Sequence, residues 1–261
     1  MSKIAKAFQN GKAFIGFITG GDPCVEKTKE FVLEMFRAGA DLVEIGIPFS
    51  DPIAEGPVIQ EANIRALSAG TTLEKLFTIV GDLRKVTDAP LAFMTYLNPV
   101  FHYGYDTFFK RCGSIGLDGI IFPDLPFEEQ GDVREAAAKY GVDLISLIAP
   151  TSLVRVKEIA KNAMGFIYLV SSMGVTGVRS EITTDIAAIA KAVKSAADTP
   201  VAIGFGIHTT AQAAQMAGIA DGVIVGSAIV KIIAEYGEGA GPHIFEYVKE
   251  MKEAIKGISA G

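Results

Sequence analysis

Eight short apolar runs recur along the chain at a steady interval: AFIGFIT (13–19), LVEIGI (42–47), LAFMTY (91–96), GIIFPD (119–124), LISLIA (144–149), FIYLVS (166–171), VAIGFG (201–206) and GVIVGS (222–227). Each is close to continuously apolar rather than alternating, the pattern of strands covered on both faces. Helical spacing fills the gaps. Val32, Met35, Phe36 and Gly39 share a face in 25–39; Leu153, Val156, Ile159, Ala160 and Ala163 do so in 152–163; Ile244, Val248, Met251 and Ile255 do so near the C-terminus. Ser152, Thr183 and Thr209 stand where helix N-caps are expected.

Strand and helix alternating eight times imply a closed parallel (β/α)8 barrel. No Pro/Gly/Ser-rich linker interrupts the alternation, so residues 1–261 are read as one barrel domain, with MSKIAKAFQNGKAF supplying an extra N-terminal helix before the first strand. The alternative is a doubly wound open sheet. It is weakened by the strand count and by GFG at 204–206, which lacks the third glycine of a dinucleotide fingerprint. The 261-residue length suits one such barrel, which typically takes about 250 residues.

Hydrophobic residues make up 49% of the chain and charged residues 21%, enough for one large core and too apolar for disorder. The net charge is −6 with no cluster of Lys or Arg, which argues against a nucleic-acid surface. An anionic ligand would therefore be caught by local dipoles. Cys24 and Cys112 have no partners at metal-ligand spacing and read as free thiols in a reducing compartment. No apolar run approaches membrane-span or signal-peptide length, so a soluble, cytoplasmic protein is expected.

The last three strands run into glycine-rich turns: SSMGVTG (171–177), GFGI (204–207) and GSAI (226–229). Barrels of this class often hold a phosphate on the loops after their last strands and on a short helix N-terminus. Glycine allows close backbone approach, and free N–H groups with the helix dipole supply the attraction without a basic side chain. Gly206, Gly226 and Ser227 are the first candidates, with Gly177 completing the ring. Taken singly, each glycine is more often a turn residue; three glycine-rich loops converging on one rim reverse that reading.

Glu44 lies inside an apolar strand. A carboxylate there is costly unless it is paired or functional, and burial raises its pKa toward the range useful for proton transfer. A salt-bridged structural glutamate is the alternative. The long connection after it, from Pro48 through FSDPIAEGPVIQ, adds Asp51 and Glu55. Asp51 fits a turn cap as well as a site role, and Glu55 fits a solvated loop charge as well as a group above the barrel mouth. No strand carries a lysine for a Schiff base, and Asp22, Asp124, His102, His208 and His243 form no spaced metal set. What remains is cofactor-free proton transfer on a phosphorylated substrate. Phe17, Tyr96, Tyr168 and Phe205 lie on or just after strands; each alone is ordinary core, and together they would form a slot for a flat aromatic group.

Over essentially its whole length the chain resembles the tryptophan synthase α-subunit family. The resemblance is carried by FITGGDP (17–23), LVEIGIPFSDPIAEGP (42–57), YLVSSMGVTG (168–177), GFGI (204–207) and GSAIVK (226–231). It implies retro-aldol cleavage of indole-3-glycerol phosphate to indole and glyceraldehyde 3-phosphate. In that reading Glu44 is the general acid–base and Glu55 holds the indole N–H. Phe17, Tyr96, Tyr168 and Phe205 line the indole slot, and Gly177, Gly206, Gly226 and Ser227 bind phosphate. Pro48 and Asp51 face a β subunit in an α2β2 assembly; pyridoxal phosphate belongs to that partner, and this chain needs no cofactor. The family loop usually reads Ala-Asp-Gly-Pro, whereas here it is Ala54-Glu55-Gly56-Pro57, and Ser172-Met173 stand where some relatives have an arginine. A stand-alone lyase, and a weakly active barrel acting as an allosteric partner, are the competing readings.

Overall fold

The computed structural model describes residues 2–149, 152–170, 182–204 and 206–258, with the side chains of 182–185 outside that description. The strands are β1 (Ala13–Thr19), β2 (Leu42–Gly46), β3 (Leu91–Met94), β4 (Gly119–Ile121), β5 (Asp143–Ile148), β6 (Ile167–Val170), β7 (Val201–Gly204) and β8 (Gly222–Val225). They pair in parallel in chain order, and β8 returns to β1 to close the barrel. The helices are α1 (Lys3–Lys6), α2 (Val25–Arg37), α3 (Pro57–Ser68), α4 (Leu73–Arg84), α5 (Leu97–Tyr103), α6 (Tyr105–Ser114), α7 (Gly131–Lys139), α8 (Leu153–Lys161), α9 (Ile182–Lys194), α10 (Thr210–Ile219), α11 (Ser227–Tyr236) and α12 (Gly241–Ile255). The alternation and all eight strand positions stand as expected from sequence.

Successive strand residues face opposite sides. Val43 and Ile45 pack outward into the layer shared with the helices, whereas Leu42 joins Ile15, Ala92, Ile121, Ile145, Tyr168, Ala202 and Ile224 inside the barrel. By the same alternation Glu44 and Phe17 point inward, and the two are register partners on β2 and β1. The short α1 closes the opposite end. Ser2 Oγ accepts from Ala5 N–H to start the turn, and Ile4, fully buried, packs with the barrel interior. The C-terminal mouth is left as the way in.

Several boundaries differ from the sequence reading. The β3, β4, β7 and β8 ladders stop two to three residues before the apolar runs do; after β3 and β4, Thr95, Tyr96 and Phe122 stay buried although pairing has ended. Thr183 lies inside α9 rather than at its N-cap. Ser152 and Thr209 do cap α8 and α10. Leu153 is 53% exposed, so the buried face of α8 is Val156, Ile159 and Ala160. The helix after the long connection starts at Pro57, a first-turn position that needs no N–H, which confines the loop to residues 47–56. Cys112 is buried on α6 and Cys24 is half-buried; both are free thiols.

Candidate active site

Glu44 is 1% exposed, and neither carboxylate oxygen has a hydrogen-bond partner among the described residues. The structural alternative, a salt-bridged core glutamate, is therefore not what the fold builds. Desolvation pushes its pKa up to about 8. Tyr168 is the ionisable neighbour: the two repel as anions, which with burial raises the phenol well above its ordinary value. Tyr168 fits because Gly204 faces it; a methyl group at that glycine would fall 2.5 Å from the phenolic oxygen.

Phe17 is wedged at the mouth. Methyl groups at Gly46 and Gly226 would meet its ring at 2.7 and 3.2 Å. Ile59 and Ala62 of α3 and Val230 of α11 pack with it, so one aromatic ring ties the helix after the acidic loop to the helix after β8. Gly226 caps α11 and the exposed Ser227 is its first residue. The leading N–H groups of an α-helix have no intrahelical acceptors and carry the positive end of its dipole. Gly206, at φ +79°, is exposed just beyond β7. Gly177 and Phe205 lie outside the described residues.

The acidic loop is held from two sides. Ala54 N–H donates to the Tyr96 hydroxyl at 2.9 Å, and the Tyr96 ring, nearly buried, packs 5.4 Å from that of Phe49. Burial pushes the Tyr96 phenol up to about 12, so it stays neutral over the physiological range. From α3, Gln60 Nε2 donates to the Glu55 carbonyl at 2.7 Å and Asn63 Nδ2 donates to Glu55 Oε2 at 2.8 Å. Glu55 is half-buried rather than a solvated loop charge. Desolvation raises its pKa to about 7, opposed by the Asn63 hydrogen bond. Asp51 is exposed and accepts from Ser50 Oγ, whereas Pro48 is buried within this chain.

Sequence reasoning did not find the pair that anchors this helix. Asp22, in the turn after β1, takes both Arg65 Nε and Nη2 at 2.8 Å. The carboxylate is fully buried and the guanidinium one-third exposed. Arg65→Met, which strands a buried anion, is expected to cost about 3 kcal/mol. Asp22→Asn, which frees a cation able to reach water, should cost less, about 1 kcal/mol. Urea denaturation of the two variants checks the order; equal costs would count against the asymmetry. Among the described residues no group of three or more His, Cys, Asp or Glu could hold a metal ion, and no helix is long and apolar enough to cross a membrane.

A closed parallel eight-stranded barrel with two carboxyls of raised pKa, Glu44 on β2 and Glu55 in the loop that follows it, has the architecture of the barrel enzymes. Which of them is settled by likeness to known proteins. The chain belongs to the tryptophan synthase alpha chain family, whose model matches residues 4–256. It is 50% identical over 255 residues to the tryptophan synthase alpha chain of Lacticaseibacillus casei, covering 98% of this chain and 96% of that one. Tryptophan synthase subunit alpha from Legionella pneumophila superposes with a TM-score of 0.89 at 36% identity, over 99% of this chain and 100% of that one. A chain of the tryptophan synthase α2β2 complex from Pyrococcus furiosus does so with a TM-score of 0.86 at 37% identity, over 94% and 99%. The chain is thus a carbon–carbon lyase of the aldol type, in a family that cleaves indole-3-glycerol phosphate.

Proposed function

We propose that Glu44 and Glu55 divide the acid–base work of indole-3-glycerol-phosphate cleavage at the mouth of this barrel. The observation that carries the reading is the buried Glu44 carboxyl on the inner face of β2, without a partner among the described residues. With its pKa near 8 it holds a proton at neutral pH and can give it to indole C3. The protonated ring becomes an electron sink. The carbon–carbon bond then breaks, its electron pair restores the aromatic indole, and the adjacent side-chain hydroxyl becomes the aldehyde of glyceraldehyde 3-phosphate. The proton lost by that hydroxyl returns to Glu44, which regenerates the acid. Ionised Glu55 accepts from the indole N–H and offsets the positive charge that develops on the ring. Phe17, Tyr96, Tyr168 and Phe205 enclose the indole; Gly177, Gly206, Gly226 and Ser227 bind the phosphate.

Partner use is part of the same reading. The Pyrococcus relative works in an α2β2 complex, and we place the exposed Asp51 and the loop behind it, beginning at Pro48, on the face toward a β subunit. Pyridoxal phosphate belongs to that subunit, this chain carries no cofactor, and the assembly works in the cytoplasm. Indole release by the purified chain, with and without β subunit, tests the whole: activation by the partner is expected, and absence of indole in both would sink the reading.

The two carboxylates also fix a pH profile. Glu55 must be ionised and Glu44 protonated in the free enzyme, so kcat/KM should rise as pH passes about 7 and fall as it passes about 8. A maximum between those values is the expected result of steady-state rates from pH 5.5 to 9.5. A profile flat across that range would exclude the assignment.

A further inference from the structure

We propose that Asn63 is a positioning residue for the cleavage reaction: its side-chain amide fixes one oxygen of the Glu55 carboxylate and leaves the other to take the indole N–H. This rests on the role given to Glu55 above. The geometry divides the two oxygens. Oε2 accepts from Asn63 Nδ2 at 2.8 Å, whereas Oε1 has no hydrogen bond to a described residue.

Asn63 is suited to hold a charge still. It is 4% exposed, so its amide lies out of reach of competing water. Its helix is fixed on both sides of it: Ala62 packs against Phe17, and Arg65 makes its paired contact with Asp22. Gln60, one turn earlier on the same face, clamps the Glu55 carbonyl. Main chain and carboxylate are therefore held separately by two neutral amides. A glutamate has one more rotatable bond than the aspartate usual at this place in the family. An immobile donor at its tip removes that freedom before substrate arrives.

The charged surroundings of Glu55 are few. Tyr96, across the loop, is the titratable group coupled to it, and it stays neutral below about 12; Asp51 on the same loop is exposed. The Asn63 donor favours ionised Glu55 against the burial that disfavours it. Losing the donor should therefore raise the Glu55 pKa.

The test compares Asn63→Ala, the isosteric Asn63→Asp and Gln60→Ala in the full chain with β subunit. Two readouts are the acid limb of kcat/KM and the titration of the Glu55 carboxyl carbon by 13C NMR. Both Asn63 variants are expected to move both midpoints to higher pH, Asp further than Ala because a second carboxylate then shares the site. A one-unit shift lowers kcat/KM at pH 7 about fivefold. Gln60→Ala, which touches only the main chain, should lower the rate without moving either midpoint. Unmoved midpoints in both Asn63 variants, whatever their rates, would overturn the proposal, as would equal movement in Gln60→Ala. Full activity of Glu55→Ala would remove Glu55 from the mechanism and Asn63 with it; lost activity there with unmoved Asn63 midpoints removes Asn63 alone.

Discussion

Glu44→Gln is expected to lower indole release by about 10⁴-fold, the upper end for general acid–base catalysis, while making the folded protein more stable at alkaline pH. Both halves follow from one environment. The carboxyl sits on an inward-facing strand position with neither oxygen partnered among the described residues, so the barrel disfavours its charge. The proposed chemistry uses that: at neutral pH the group retains the proton that the reading has it deliver to carbon, a poor base, and no other described acid stands on the inner face of β2. Glutamine keeps the volume and loses the proton.

The stability half has a definite sign. In the unfolded chain Glu44 titrates near 4.5, and in the folded one near 8, so the folded state binds the extra proton between those values. Folding stability must then fall as pH rises from 4.5 toward 8 and stay reduced above it. At about 1.4 kcal/mol per unit the penalty is of the order of a few kcal/mol at pH 8.5. Glutamine carries no such penalty. Urea denaturation of wild type and Glu44→Gln at pH 5.5 and 8.5 should show a variant advantage of about 1 kcal/mol at the first that grows to a few kcal/mol at the second. Equal stability at both, or a variant that still releases indole at the wild-type rate, would contradict the account.

That strain between stability and function is why Glu44 was legible in the sequence. A lone acid in the run LVEIGI breaks the apolar pattern of a doubly covered strand, and such breaks mark sites. The strands were legible for the complementary reason: burial on both faces makes each one a continuous apolar run bounded by turns. Polar partnerships were not legible. Asp22 and Arg65 stand 43 residues apart, and Ala54 meets Tyr96 across 42, with no periodicity to announce either. Asn63 reads in sequence as one more polar residue on a helix; only the turn of α3 against the loop brings its amide to Glu55. Tyr96, read as part of the aromatic slot, is also the loop's tether. Leu153 misled because helical spacing places a residue near a face without fixing whether a neighbour covers it.

Glu55→Ala is expected to cost about 10²–10³-fold in kcat/KM, the usual loss when a fixed group facing developing charge is removed. The cleavage puts positive charge on the indole ring as C3 is protonated, and a carboxylate at the ring nitrogen is the one group proposed to meet it. Alanine leaves the amide of Asn63 without its acceptor in a nearly buried position, which adds a further cost to the loop. Glu55→Asp separates charge from reach. It keeps the carboxylate, so cleavage should persist far above the alanine level. It is also one methylene shorter than the side chain that meets Asn63 at 2.8 Å, so its acid limb should respond less to Asn63→Ala than the wild-type limb does. Glu55→Gln completes the series: it keeps length and an acceptor but no charge, and should resemble alanine if charge is what matters. Steady-state kinetics of the three variants decides it. Glutamine at wild-type rate would make the contact a neutral hydrogen bond, and alanine at wild-type rate would take residue 55 out of the reaction altogether.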